Sequence, residues 1–271
     1  MKYQFSEKQV YVYDCKISYL EGGTKNFETL LFLHGWGVAT EPYQEIINIL
    51  CQRYKVIAPD LPGFGKSGGE IDWNYEKYAK FLLAFLQKLE IDKFHIVGHS
   101  LGGGVGITLA ASAPTQVNSL VIIDSTGIPV DPLPKVLFQR AIEMTAQTPQ
   151  IKFPQIIQVF KGFSYNLFFK TQNTIQVLLL SLKQDLKHLL PQIESPCLIV
   201  WGENDLTTPL KAGQEFSRLI KNSKLVVVKE GYHEWSIFFV EKVTTIIFNF
   251  LTEIEKHKSV ETKAATVTEL D

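Results

Sequence analysis

The sequence predicts an α/β domain built on a mostly parallel sheet with helices on both faces. Three observations carry this. Short apolar runs alternate with longer segments of helical period, the order that parallel strands and crossover helices require. The later short runs, CLIVW from Cys197 and KLVVV from Lys224, are continuous in apolar residues rather than alternating, as in strands covered on both sides. The chain has 271 residues, 45% of them hydrophobic, which suffices for one large undivided core.

Taken in order, the strand candidates are Val10–Tyr13, Thr29–Leu33, Lys55–Ala58, Phe94–Val97, Ser119–Ile123, Cys197–Trp201 and Lys224–Val228. The first two are short, and a turn at Glu21-Gly22-Gly23 predicts that they form an antiparallel edge. The helix candidates between and after them are Pro42–Arg53, Asn74–Leu89, Leu101–Ala113, Leu210–Ile220 and Trp235–His257. The alternation stops between Thr126 and Ile193. Segments rich in Phe, Leu and Ile, with helical period, are broken there by Pro132, Pro134, Pro149 and Pro154. The expected organisation is a core over 1–125 and 194–257, a helical cap over 126–193 inserted between two core strands, and a polar, disordered tail over 258–271.

Composition narrows the function. The formal net charge is −1, and the Lys and Arg residues are scattered, so nothing prepares a surface for nucleic acid. Cys15, Cys51 and Cys197 are odd in number and widely spaced in apolar contexts. They read as reduced thiols, not as a disulfide framework or zinc site. The N-terminal residues lack the apolar core of a secretion signal, and no apolar run approaches the roughly 18 residues of a membrane span. The expectation is a cytoplasmic protein whose partner is a small molecule and which needs no metal or organic cofactor.

The chemistry centres on FHIVGHSLGGGVGITLAASAP, Phe94 to Pro114. Ser100 lies between a strand-type and a helix-type run, in a G-x-S-x-G pattern. Such a turn forces the serine into a strained backbone, and glycines two positions away on each side let neighbouring backbone pass. The hydroxyl is then exposed at the carboxyl end of the sheet, in the arrangement called a nucleophile elbow. A serine hydroxyl needs a base. His233, in KEGYHEW, follows the last strand candidate and reaches the same edge. The base needs an acid to fix its tautomer. Asp205, in LIVWGENDLTTP, stands just beyond a strand end, with Asp124 at the end of LVIID as its rival and Glu203 two residues away. Two donors are expected for a developing oxyanion: the Leu101 N–H at the helix start and the Trp36 N–H in LLFLHGWG.

Other features read as structural. His34 and His99 shape loops near the site, and His95, His188 and His257 have no motif around them. Gly63-Phe64-Gly65-Lys66-Ser67-Gly68 fits a dinucleotide pattern, but Pro62 precedes it and GGEIDW follows, so no helix opens within it. A P-loop would need glycine where Asp60 stands.

With HGWG at His34, DLPGFGKS at Asp60, GHSLGG at Gly98, WGENDLTTP at Trp201 and GYHEW around His233, the chain resembles the α/β-hydrolase superfamily from Phe27 to about Leu251. The resemblance implies a triad of Ser100, Asp205 and His233, with Trp36 and Leu101 as oxyanion donors. The HGWG form is similar to that of carboxylesterases. Related motifs occur in carbon–carbon bond hydrolases of meta-cleavage pathways, monoacylglycerol lipases and lactonases. A serine at position 100 argues against the haloalkane dehalogenases and epoxide hydrolases of this fold, which use Asp.

The cap stretch FPQIIQVFKGFSYNLFF offers rings, Phe163 and Phe168 among them, that either join Trp36 in an apolar acyl or aromatic pocket or pack the cap itself. Arg140 aside, the cap over 126–193 has no arginine, which disfavours a highly anionic substrate. The expected activity is ester hydrolysis through an acyl-enzyme on Ser100. The alternatives are carbon–carbon bond hydrolysis, cofactor-free lyase or perhydrolase chemistry on the same triad, and a ligand receptor that binds without turnover.

Overall fold

A computed structural model describes residues 4–24, 27–69, 72–147 and 153–268, with side chains at 153–155 and from 257 onward outside the description. The elements are β1 (Phe5–Val12), β2 (Cys15–Gly22), β3 (Thr29–Leu33), α1 (Gln44–Leu50), β4 (Lys55–Pro59), α2 (Tyr75–Lys88), β5 (Phe94–His99), α3 (Leu101–Ser112) and β6 (Val117–Ile123). After them come α4 (Leu133–Gln147), α5 (Phe153–Phe169), α6 (Thr171–Lys183), β7 (Cys197–Gly202), α7 (Leu210–Leu219), β8 (Ser223–Val228), α8 (Trp235–Phe238) and α9 (Val240–Thr268).

The eight strands form one sheet in the order β1-β2-β4-β3-β5-β6-β7-β8. β1 pairs antiparallel with β2, and β2 with β4, whereas every pairing from β4 through β8 is parallel. Strand alternation divides the core in two. Ile96, Leu120, Ile122 and Ile199 face a layer built with α2, α3 and α7. Val97, Val121, Ile123 and Val200 face a layer built with α1, α8 and α9. The carboxyl ends of β3 and of β5 through β8 therefore meet at one edge.

The opening edge differs from the sequence expectation. β2 is an additional strand, and the hairpin turns at Tyr13-Asp14, since Val12 pairs with Cys15. Tyr13 takes the positive φ of 50° that such a tight turn demands, where the usual cue is Asn or Gly. Glu21-Gly22-Gly23 instead closes the second strand. At the other end the chain stays helical through Thr268 where a disordered tail was expected. A helix already nucleated extends by one hydrogen bond per residue, without needing an apolar face. Residues 269–271 lie outside the description.

Candidate active site

Ser100 sits between β5 and α3 with φ 52° and ψ −115°, a strained backbone for a residue with a side chain. The surroundings hold it there. Its N–H donates to the Ile123 carbonyl at 2.9 Å, and its own carbonyl accepts from the N–H groups of Gly103, Gly104 and Thr126. The Thr126 hydroxyl adds a further bond at 3.2 Å. The flanking glycines are needed for space: a Cβ on Gly98 would collide with the Gly102 carbonyl, and one on Gly102 with the Leu33 carbonyl.

The expected partners converge on this serine. His233, in the loop between β8 and α8, has Nε2 3.0 Å from Ser100 Oγ and Nδ1 2.8 Å from Asp205 Oδ2. Asp205 follows β7. Its Oδ1 accepts the N–H groups of Thr207 and Thr208, both at 2.8 Å, and Oδ2 accepts the Thr208 hydroxyl at 2.7 Å. All three residues are buried. Burial alone would lower the His233 pKa. The Asp205 carboxylate beside it, their hydrogen bond and nearby Glu234 outweigh that and raise it to about 9.

The rival acids are occupied elsewhere. Asp124 accepts the Gly202 N–H and the Trp235 indole N–H, each at 2.7 Å, and does not reach the imidazole. Glu203 accepts the Glu230 N–H at 3.0 Å. Among the described residues, neither the Trp36 N–H nor the Leu101 N–H meets an acceptor. Trp36 lies just beyond β3, and Leu101 opens α3 directly after Ser100.

The other histidines hold loops. His34 Nε2 accepts from the Leu61 N–H while Nδ1 faces its neighbour's carbonyl, Gly35 O. His99 Nδ1 lies 2.7 Å from the Tyr43 hydroxyl, which in turn accepts the Gly35 N–H. His99 Nε2 lies 3.0 Å from the His233 carbonyl. This chain of bonds ties the HGWG loop to the backbone of the base. Burial, with the His233 charge, pushes the His99 pKa down to about 4. His95 bonds Ser119 and Glu28, His188 is exposed, and the His257 side chain lies outside the description. The loop from Gly63 to Gly68 is closed by the Gly63 N–H on the Gly68 carbonyl, with α2 starting only at Tyr75.

Sequence reasoning missed two groups beside the triad. Arg140 on α4 bonds Glu143 at 3.3 Å and Glu234, next to the base, and Gln147 adds a bond to Glu234 at 3.2 Å. Glu143 also accepts the Leu206 N–H at 2.7 Å and the Thr207 hydroxyl at 2.6 Å. One partly buried ionic cluster thus grips both the loop of Asp205 and the loop of His233. The i,i+3 spacing of Arg140 and Glu143 and the acid directly after His233 were the available cues. Asn166 of α5 donates to the Gly37 carbonyl at 3.1 Å and accepts the Gly65 N–H at 2.9 Å. Its cue was a lone amide on an apolar helix face.

Of the ring residues, Phe163 packs edge-on against Trp36 with centroids 5.7 Å apart, and the Trp36 indole N–H donates to the Thr174 carbonyl. Phe168 is not brought to them: it is 77% exposed, five residues along α5 and on its outward side.

A family model for the alpha/beta hydrolase fold matches residues 28–174. The chain belongs to the α/β-hydrolase fold family. As a hydrolase of this family, it is similar to a 2-hydroxy-6-oxononadienedioate/2-hydroxy-6-oxononatrienedioate hydrolase of Pseudomonas putida, 27% identical over 88% of this chain and 93% of the relative. The crystal structure of a bacterial membrane phospholipase A superposes with a TM-score of 0.79 at 25% identity, covering 93% of this chain and 87% of that one. An enol-lactonase from Burkholderia xenovorans shares the fold, with a TM-score of 0.78 at 18% identity over 90% of this chain and 100% of that one.

Proposed function

We propose that the protein is a serine hydrolase that cleaves carboxylic esters of small-to-medium apolar acyl or aromatic groups through an acyl-enzyme on Ser100. One observation carries the reading: the unbroken line from Ser100 Oγ to His233 Nε2 at 3.0 Å and from His233 Nδ1 to Asp205 Oδ2 at 2.8 Å. Neutral His233 takes the Ser100 proton as Oγ attacks the ester carbonyl. The Trp36 and Leu101 amides hold the oxyanion, a preorganised interaction whose removal typically costs about 100-fold or more in rate. His233 then gives its proton to the leaving alcohol. Water enters, His233 deprotonates it as it attacks the acyl carbonyl, and the proton passes to Ser100 Oγ as the acid departs. The helices over 126–193 act as the cap, with Trp36 and Phe163 forming an apolar wall for the acyl group.

A carbon–carbon bond hydrolase on the same triad is the second reading, and the Pseudomonas putida relative's name favours it. That relative's substrate is a dicarboxylate. Here Arg140, the one arginine of α4 to α6, already faces Glu143 and Glu234, which favours an uncharged ester. The deciding experiment is intact mass after a fluorophosphonate probe, with Ser100→Ala and His233→Ala as controls, followed by a panel of acyl esters and a vinylogous diketone acid. A single adduct on Ser100, absent from both variants, with turnover of esters, is the expected result. A folded protein that takes no adduct overturns it.

A further inference from the structure

We infer that the outer face of α5 is a docking surface for an anionic lipid bilayer. α5 carries apolar side chains on both sides. Inward, Phe163 and Asn166 seat it on Trp36 and Gly37. Outward, Ile157, Phe160, Tyr165 and Phe168 follow helical spacing and stand in solvent, with Phe160 68% and Phe168 77% exposed. Large apolar side chains gathered on the solvent side of one helix, with Gln158 and Lys161 among them, mark an interaction surface rather than an ordinary solvated face. α4 repeats the pattern with exposed Leu137 and Phe138. Among the described residues no helix is long and apolar enough to cross a membrane, so the geometry is that of a helix lying on the surface.

Charge selects the occupant. From Met144 to Gln184 the sequence holds Lys152, Lys161, Lys170 and Lys183 and not one Asp or Glu, although the chain as a whole carries −1. Lys161 sits on the outer arc of α5 between Ile157 and Tyr165, is exposed, and makes no ion pair among the described residues. Phenyl rings beside Lys161, in a stretch of sequence without carboxylates, match the acyl boundary and phosphates of an anionic leaflet. A second copy of this chain fits worse. A two-fold contact centred on this face would bring Lys161 toward its own copy.

This goes beyond the catalytic reading and is read without turnover. The full chain is floated with vesicles of phosphatidylglycerol and phosphatidylcholine, and with vesicles of phosphatidylcholine alone. The wild type is expected to float with the anionic vesicles, and less so at high salt. Phe160→Ser with Phe168→Ser, both at exposed positions, is expected to weaken partitioning by more than about tenfold. Lys161→Gln is expected to weaken it about fivefold on anionic vesicles and to leave pure phosphatidylcholine unaffected. Wild type that stays in solution with anionic vesicles, or variants that bind as the wild type does, overturns the inference. So does a wild-type dimer that the double Phe variant dissociates, which gives the face to self-association instead.

Discussion

His233 carries the sharpest expectation at the scale of single residues. In the proposed role of base it acts only when neutral, and its pKa is raised to about 9. The neutral fraction grows as pH rises, so kcat/KM should climb toward a plateau through about pH 9. In Asp205→Asn the largest raising influence is gone. The ascending limb then shifts to lower pH, and the plateau falls by about 10⁴-fold because the tautomer is no longer fixed. A pH–rate profile of both proteins on one ester checks this, and an unmoved limb would contradict the role given to Asp205. These three residues were legible in the sequence because strand ends fix where they stand. Tyr43 was not legible: its link between Gly35 and His99 spans distant parts of the chain and leaves no local pattern.

At the scale of elements, α4 and α5 are fastened to the core by polar anchors within an apolar setting. Arg140→Met would leave the fully buried Glu143 and nearby Glu234 without a counter-charge, and should cost about 3–5 kcal/mol by urea denaturation. Adding Glu143→Gln should recover part of that loss, which a mere packing defect would not allow. Asn166→Ala leaves the Gly37 carbonyl and Gly65 N–H short of a partner, for about 1–3 kcal/mol. It should also raise KM for esters more than it lowers kcat, since Gly37 adjoins Trp36. The core strands could be read from their continuous apolar runs, and β3 matches its expected bounds. The hairpin could not, because Tyr13 adopts the conformation that glycine or asparagine usually signals. The helices over 133–183 could be expected as helices, but their anchoring partners lie on loops far away in sequence.

At the scale of the whole molecule, two imidazoles pull stability in opposite directions. The folded pKa of His233 is above its ordinary 6.5, so its contribution is full below pH 6.5 and is lost as pH rises through about 9. The His99 pKa is depressed, so its contribution is full above 6.5 and is lost as pH falls toward about 4. The melting temperature should therefore peak near neutrality while kcat/KM still rises, and His99→Gln should flatten only the acid side of the melting profile. The strand order holds a last consequence. β3 and β5 are neighbours, yet the chain leaves β3 for α1 in one layer and β5 for α3 in the other. Their departing loops part like two lips, with Trp36 on one and Ser100 on the other. The cleft thus comes from the winding of the chain and would survive removal of the nucleophile. New chemistry installed on those two loops would inherit a ready-made crevice, and Ser100→Ala is the natural place to begin building it.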